Sequence, residues 1–159
     1  LAPTVTEITL PDEADRTYQV MVRQTNASND SEDNQPLTSV SEMVEFTVDT
    51  SPAFVEVITA DSALSTITIS YNEDLDPSLV PDAADYEITQ GGSDLTVSKV
   101  EVDAQNLSNL LLTIDSGLSN GAVRVVYTPS DNLIQDAAGN QSTAGFNSMY
   151  VCLSSKDNQ

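Results

Sequence analysis

From Thr66 to Tyr71 apolar side chains fall at every second position, with Ile67, Ile69 and Tyr71 separated by Thr66, Thr68 and Ser70. Val123, Val125 and Tyr127 alternate in the same way with Arg124, Val126 and Thr128. A period of two places each set on one face of an extended chain, so both segments read as strands with one side on a core. The same pattern predicts strands near Thr4 to Leu10, Thr17 to Gln24, Met43 to Val48, Ala53 to Thr59, Tyr86 to Thr89, Leu95 to Val102, Leu110 to Ile114 and Phe146 to Leu153. No window of helical length carries a comparable 3.6-residue period. The expected fold is therefore all-β, an antiparallel immunoglobulin-like Greek-key β-sandwich, with Ile67, Ile69, Tyr86, Leu112, Ile114, Val123 and Val125 in its core and helices absent or one turn long.

Turn chemistry separates these runs. Gly91-Gly92 suits a two-residue hairpin, Asn120-Gly121 opens a strand, and Pro77, Pro81 and Pro129 mark loops. Between Val97 and Val100 the apolar phase slips, which predicts a bulge near Ser98 and Lys99. At Asp49-Thr50-Ser51-Pro52 a strand ending Phe46-Thr47-Val48 meets a proline and then a fresh apolar run. Proline fixes its own φ and keeps the preceding residue extended, so this stretch reads as a short, stiff linker. About seven strands follow it within residues 51–153, enough for one complete sandwich, and residues 154–159 form a polar tail. Only three precede it, too few to enclose such a core. Residues 1–50 are thus expected to be the C-terminal strands of a preceding, incomplete module. The competing reading joins all ten strands in one larger sandwich.

Charge narrows the function. The 159 residues carry 25 acidic against 5 basic side chains, a formal net charge of −20. Nucleic acid is excluded as a natural partner, because binding to phosphates needs clustered Lys and Arg. An anionic membrane surface would repel the chain, and no apolar run reaches the 18 residues or so that direct membrane insertion needs. Histidine is absent, which removes the commonest general base and the commonest zinc ligand. The single cysteine, Cys152, has no partner for an internal disulfide. No enzymatic activity is expected. The chain opens at Leu1 without Met, a charged n-region or an apolar h-region, and so reads as a mature product or an excised piece.

Acidic clusters are the candidates for a site. In an immunoglobulin topology the loop after the second strand (Glu73, Asp74, Asp76), the loop before the last strand (Asp131, Asp136, Asn140) and the entering linker (Asp49) share one pole. Asp12, Glu13 and Asp15 of the preceding part are expected to face them. Sets of six to eight hard oxygen ligands suit Ca²⁺, which makes Asp49, Glu73, Asp136, Asn140, Asp12, Glu13 and Asp15 its expected ligands. The alternative is that Asp136-Ala137-Ala138-Gly139-Asn140 is a tight turn, with Asp136 accepting from local backbone N–H groups and Gly139 supplying a positive φ.

Weaker signals are three. Four N-x-S sequons, at Asn26, Asn29, Asn106 and Asn140, are close to chance in a chain this rich in Ser and Asn. Lys99 is the lone strand lysine that could enter an isopeptide cross-link. Glu73 with Asp136 could mimic a glycosidase pair, although no aromatic platform for sugar is visible.

Four stretches carry a family likeness: Val48-Asp49-Thr50-Ser51-Pro52, Ile69-Ser70-Tyr71-Asn72-Glu73-Asp74-Leu75-Asp76, Asp82-Ala83-Ala84-Asp85-Tyr86, and Ile134-Gln135-Asp136-Ala137-Ala138-Gly139-Asn140. In these the chain from about residue 51 to 153 resembles the swimming-motility (SwmB-type) repeat of bacterial immunoglobulin-like surface and adhesin proteins. Residues 1–50 resemble the end of a related repeat, although Thr25-Asn26-Ala27-Ser28-Asn29 departs from that repeat's T-D-x-x-G-N loop. The resemblance implies a passive structural extender in an extracellular or cell-surface bacterial protein, rigidified by calcium, whose partners are neighbouring immunoglobulin-like modules of the same polypeptide or assembly. A ligand-binding adhesin module and a filament subunit assembled by strand complementation remain as alternatives.

Overall fold

Two compact units divide the chain, Leu1–Ser51 and Pro52–Gln159. The computed structural model describes residues 15–26 and 37–152. The strand expected at Thr4 to Leu10, Asp12 and Glu13 of the proposed ligand set, and the polar tail lie outside the described residues.

In the first unit the alternation is realised as a two-stranded antiparallel ribbon. Strand β1 (Arg16–Val20) pairs with β4 (Val44–Val48), and β2 (Arg23–Asn26) pairs with β3 (Leu37–Val40). The single run expected from Thr17 to Gln24 is interrupted at Met21-Val22. There the Val22 N–H donates to the Ser41 hydroxyl (2.9 Å) while the Ser41 N–H donates to the Val22 carbonyl (2.9 Å). A side-chain oxygen thus replaces one backbone acceptor and breaks the ladder. Register puts Tyr18 and Val20 opposite Phe46 and Val44. The Tyr18 and Phe46 rings stack with centroids 5.5 Å apart. On the other face Thr17 pairs with Thr47, and the Gln19 amide donates to Glu45 at 3.0 Å.

The second unit contains β5 (Val55–Asp61), β6 (Thr66–Tyr71), a 3-10 turn (Ala83–Asp85), β7 (Tyr86–Gln90), β8 (Ser93–Leu95), β9 (Val97–Val102), β10 (Asn109–Ile114), β11 (Ala122–Tyr127), β12 (Ile134–Gln135), β13 (Gln141–Ser142) and β14 (Phe146–Cys152). Two four-stranded antiparallel sheets result, ordered β5-β6-β10-β9 and β14-β11-β7-β8, with β12 and β13 forming a small separate hairpin. In chain order this is the A-B-E-D over G-F-C arrangement of immunoglobulin sandwiches, with β8 added beside strand C. The inward positions of β6 (Ile67, Ile69, Tyr71), β10 (Leu110, Leu112, Ile114), β7 (Tyr86, Ile88) and β11 (Val123, Val125, Tyr127) form one core. All seven expected core residues belong to it. The 3-10 turn is the one helical element among the described residues.

The segment expected as one strand from Leu95 to Val102 is in fact two. Leu95 ends β8 in one sheet and Val97 begins β9 in the other, so the chain changes layers at Thr96. Thr113 then pairs with Lys99 and Ile114 with Val97, leaving Ser98 as the extra residue. That bulge returns Val100 and Val102 to the core phase. Gly91 (φ +60°) and Gly92 (φ +83°) make the two-residue turn between β7 and β8, where both residues need positive φ.

Edges of the two sheets are blunted. Register slips at Glu56 in β5, at Ser98 in β9 and near the start of β14, and the fourth edge strand, β8, is only three residues long. Bulges and short edges remove the flat template on which another strand could add.

Candidate functional site

The loops that carry the acidic residues are bound to one another by backbone as well as side chain. Leu75 forms an isolated antiparallel bridge with Asp136. The Asp76 N–H donates to the Gln135 carbonyl (2.8 Å), the Ala137 N–H to the Asp74 carbonyl (3.0 Å), and the Leu75 N–H to the Leu107 carbonyl (3.0 Å). Leu75, set among three acids, is fully buried and packs in the core with Ile134. The sequence Glu73-Asp74-Leu75-Asp76 is therefore a strap, pinned by its one apolar side chain and three backbone hydrogen bonds.

Asp136 sits at the centre of this arrangement and is 1% exposed. One carboxylate oxygen accepts from the Ala138 N–H (2.9 Å) and the Asn140 N–H (2.8 Å), and the other accepts from the Asn140 side-chain amide (2.9 Å). A buried carboxylate is tolerated when donors replace its lost hydration. The turn is closed by backbone bonds from Asp136 N to Asn140 O (3.1 Å) and from Gly139 N to Asp136 O (3.2 Å). Gly139 has φ +99°, and its carbonyl accepts from the Gln135 amide at 2.7 Å. The tight-turn chemistry is thus present in full.

Neighbouring polar residues are used in the same manner. Asn72 accepts from the Phe54 N–H (2.7 Å), donates its own N–H to the Phe54 carbonyl (3.1 Å), and donates its amide to Glu73 (3.0 Å). Asp76 accepts from the Ser78 N–H and hydroxyl (2.8 and 2.7 Å), which holds its carboxyl below the usual range. Asp85 accepts from the Asp82 N–H (3.2 Å), and the Asp85 carbonyl receives the Thr128 N–H (2.9 Å).

As to cation binding, Glu73 and Asp136 each offer a carboxylate oxygen within 4.8 Å of the other. Two oxygens bound to one Ca²⁺ at 2.3–2.6 Å lie at most about 5 Å apart, so this spacing is compatible with a shared calcium. Asn140 turns its amide N–H toward Asp136, which makes it a positioning group for that carboxylate. In the first unit Asp49 accepts from the Ser51 N–H at 3.1 Å. Asp15 accepts from the Ser51 hydroxyl and from the Thr50 N–H at 2.8 Å, and these bonds lower its pKa. Its carboxylate closes the base of the ribbon.

Two other sequence signals meet structural obstacles. The Lys99 side chain is 60% exposed and pairs with Glu101 at 2.7 Å, so it lacks the apolar surroundings an isopeptide bond requires. The Asp136 carboxylate is 1% exposed, too covered to meet a sugar, which removes it from any glycosidase pair.

A feature that sequence patterning did not single out is a buried tyrosine cluster. Tyr86 and Tyr127 stack with centroids 4.8 Å apart, Tyr127 lies 5.6 Å from Phe146, the hydroxyls of Tyr71 and Tyr86 make no hydrogen bond within the protein, and the Tyr127 hydroxyl has the Ile134 backbone beside it. Burial raises the pKa of all three, with smaller contributions from charge on the neighbouring groups, and Tyr127 is pushed up to about 12. Alternation marked these positions as inward but said nothing of their hydroxyls.

No protein-family model and no curated protein matches the chain. Several solved structures are similar to part of it, two of them of S-layer proteins. The N-terminal part of the bacterial S-layer protein SbsC is 21% identical with a TM-score of 0.44, over 61% of this chain and 22% of that one. The S-layer protein rSbsC(31-844) is 22% identical with a TM-score of 0.46, over 62% of this chain and 13% of that one.

Proposed function

We propose that this chain is a structural extender of a large secreted or cell-surface bacterial protein, spacing and orienting neighbouring immunoglobulin-like modules of the same polypeptide or assembly. The observation that carries this reading is the state of Asp136. A carboxylate that is 1% exposed and accepts three hydrogen bonds serves to fix a loop, not to meet a substrate. The strap at Glu73–Asp76 and the turn at Asp82–Asp85 spend their polar groups in the same way, and pinned loops at a sandwich pole transmit force without yielding. A net charge of −20 keeps such a protein hydrated in a saline exterior. Pulling the chain by its ends tests the reading. Asp136→Ala and Leu75→Ala should each lower the force of the main unfolding step, and an unchanged force in both would refute a pole that resists tension.

Calcium fits this role as a stiffener, held by Glu73 and Asp136, whose oxygens lie within 4.8 Å of one another. With free Ca²⁺ at about ten times the dissociation constant, one site adds about 1.4 kcal/mol. Thermal unfolding in chelator, calcium, magnesium and sodium chloride of matched ionic strength separates a site from screening. Calcium should raise the melting temperature beyond sodium, and Glu73→Gln should remove the increment. Equal effects of calcium and sodium would leave the acidic pole a solvated surface.

A further inference from the structure

An apolar crevice of about 210 Å³ opens in the second unit between the first residues of β5 and β14, the edge strands of the two sheets. Phe54, Val55, Tyr71, Ile134, Ala144 and Phe146 line it. Tyr71 and Ile134 belong to the core and form its back, while Phe54 stands at its mouth 62% exposed. Apolar cavities of about 150 Å³ already admit benzene, so this one has room for an aromatic ring or a branched aliphatic side chain.

The charged groups of residues 52–152 that hydrogen bonding and sequence place near the mouth are acidic. Asn72 holds the Phe54 backbone through two hydrogen bonds and Glu73 through a third, which keeps the Glu73 carboxylate beside the opening. Glu56, two residues beyond Phe54, is exposed on β5. The cations between residues 52 and 152 are Lys99 and Arg124. Lys99 pairs with Glu101 on β9, at the opposite edge of the sheet from β5, and Arg124 pairs with Glu87. Neither is placed by these pairs at the crevice.

We infer that this crevice is a docking point for a large apolar side chain carried on a cationic segment of another protein. The walls select the side chain and the field of the acidic surface selects its flanks. A second copy of the chain is a poor occupant, since 25 acids against 5 bases make like surfaces repel. This inference goes beyond the extender role, and because calcium on Glu73 would offset the charge it uses, its test is run in chelator.

The test uses the full chain, isotope-labelled, and the peptide acetyl-Lys-Lys-Phe-Lys-Lys-amide, with one control in which Phe is replaced by Ala and another in which every Lys is replaced by Glu. The lysine-phenylalanine peptide should shift the resonances of Phe54, Ala144, Gly145 and Phe146 together, and both controls should bind at least about tenfold more weakly. Ala144→Trp, an exposed position at the mouth, should weaken the peptide about tenfold while the melting temperature stays within a few degrees. Should that variant fold poorly, Ala144→Leu offers the same block with less bulk. Glu56→Gln with Glu73→Gln should weaken binding severalfold and flatten its salt dependence. Identical shifts with the Ala peptide would reduce the effect to diffuse charge and overturn the proposal. Equal binding of the Glu peptide would overturn the charge preference, and self-association of the wild type abolished by Ala144→Trp would assign the crevice to a second copy instead.

Discussion

In β4 the inward-phase residues Val44 and Phe46 are 61% and 38% exposed, whereas Ile67 and Ile69 of β6, spaced in the same way, are 0% exposed. Both strands belong to antiparallel pairs in which apolar side chains share one face. What separates them is the number of strands that share the work. Among the described residues the apolar face of β1 and β4 meets its cross-strand neighbours, as in the Tyr18–Phe46 stack, and cross-strand pairs contribute only about 0.2–1 kcal/mol each. In the second unit eight strands lay two such faces against each other, and each buried aliphatic side chain contributes about 1.5–3 kcal/mol by leaving water. Alternation therefore specifies a face, but closure needs a second sheet.

Alkali should expose that contrast most strongly. The pKa values of Tyr71, Tyr86 and Tyr127 are raised in the folded protein, so the neutral phenols favour the folded state. Their contribution is complete below about pH 10, the ordinary phenol value, and is lost as pH rises through the raised values, of which that of Tyr127, about 12, is reached first. The second unit should unfold over that window, with phenolate absorbance and loss of the β-sheet circular dichroism signal rising together. Phenolate appearing while the sandwich remains folded would mean that the cluster is open to water.

Truncating the core should come next. Ile69→Ala should destabilise the second unit by about 2–5 kcal/mol in urea unfolding, while Val44→Ala in the ribbon should change stability by less than about 0.5 kcal/mol. Comparable effects at the two sites would mean that the ribbon's face is covered as fully as the core.

Smaller, yet well above a surface change, is the expected effect of Asp136→Ala. It removes the acceptor of the Ala138 and Asn140 N–H groups in a turn whose other residues reach water, at about 0.5–1.5 kcal/mol for each hydrogen bond lost. Gly139→Ala forces an L side chain into φ +99° with its Cβ 3.2 Å from the Gln135 amide, and should destabilise by about 1–3 kcal/mol. Tyr71→Phe closes the series. It removes a buried hydroxyl that has no hydrogen bond in the protein, so stability should hold or rise slightly and the alkaline transition should move upward. A loss above about 1 kcal/mol would show that the hydroxyl has a partner.

Much of this architecture was legible from spacing. Period-two runs located β6, β7, β10 and β11 and their inward residues, and the phase slip at Val97 to Val100 located the Ser98 bulge. Three features escaped for identifiable reasons. The change of sheet at Thr96 leaves the apolar phase of Leu95 and Val97 intact, because both point to the same core from opposite layers. Strands β12 and β13 are two residues each, too short to show a period. Leu75 looked like one apolar residue in an acidic loop, and only the backbone bridge to Asp136 reveals it as the peg that fastens the strap. The candidate site was legible as composition, but which carboxylate is buried depends on where the chain crosses itself.

Amide hydrogen exchange on the intact chain separates a second unit that holds itself together from a ribbon that does not. The amides of Ile67, Ile69, Leu112, Val123 and Val125 should exchange only through global opening, and those of Tyr18, Val20, Val44 and Phe46 orders of magnitude faster. Equal protection of the two sets would mean that the ribbon is held as firmly as the sandwich.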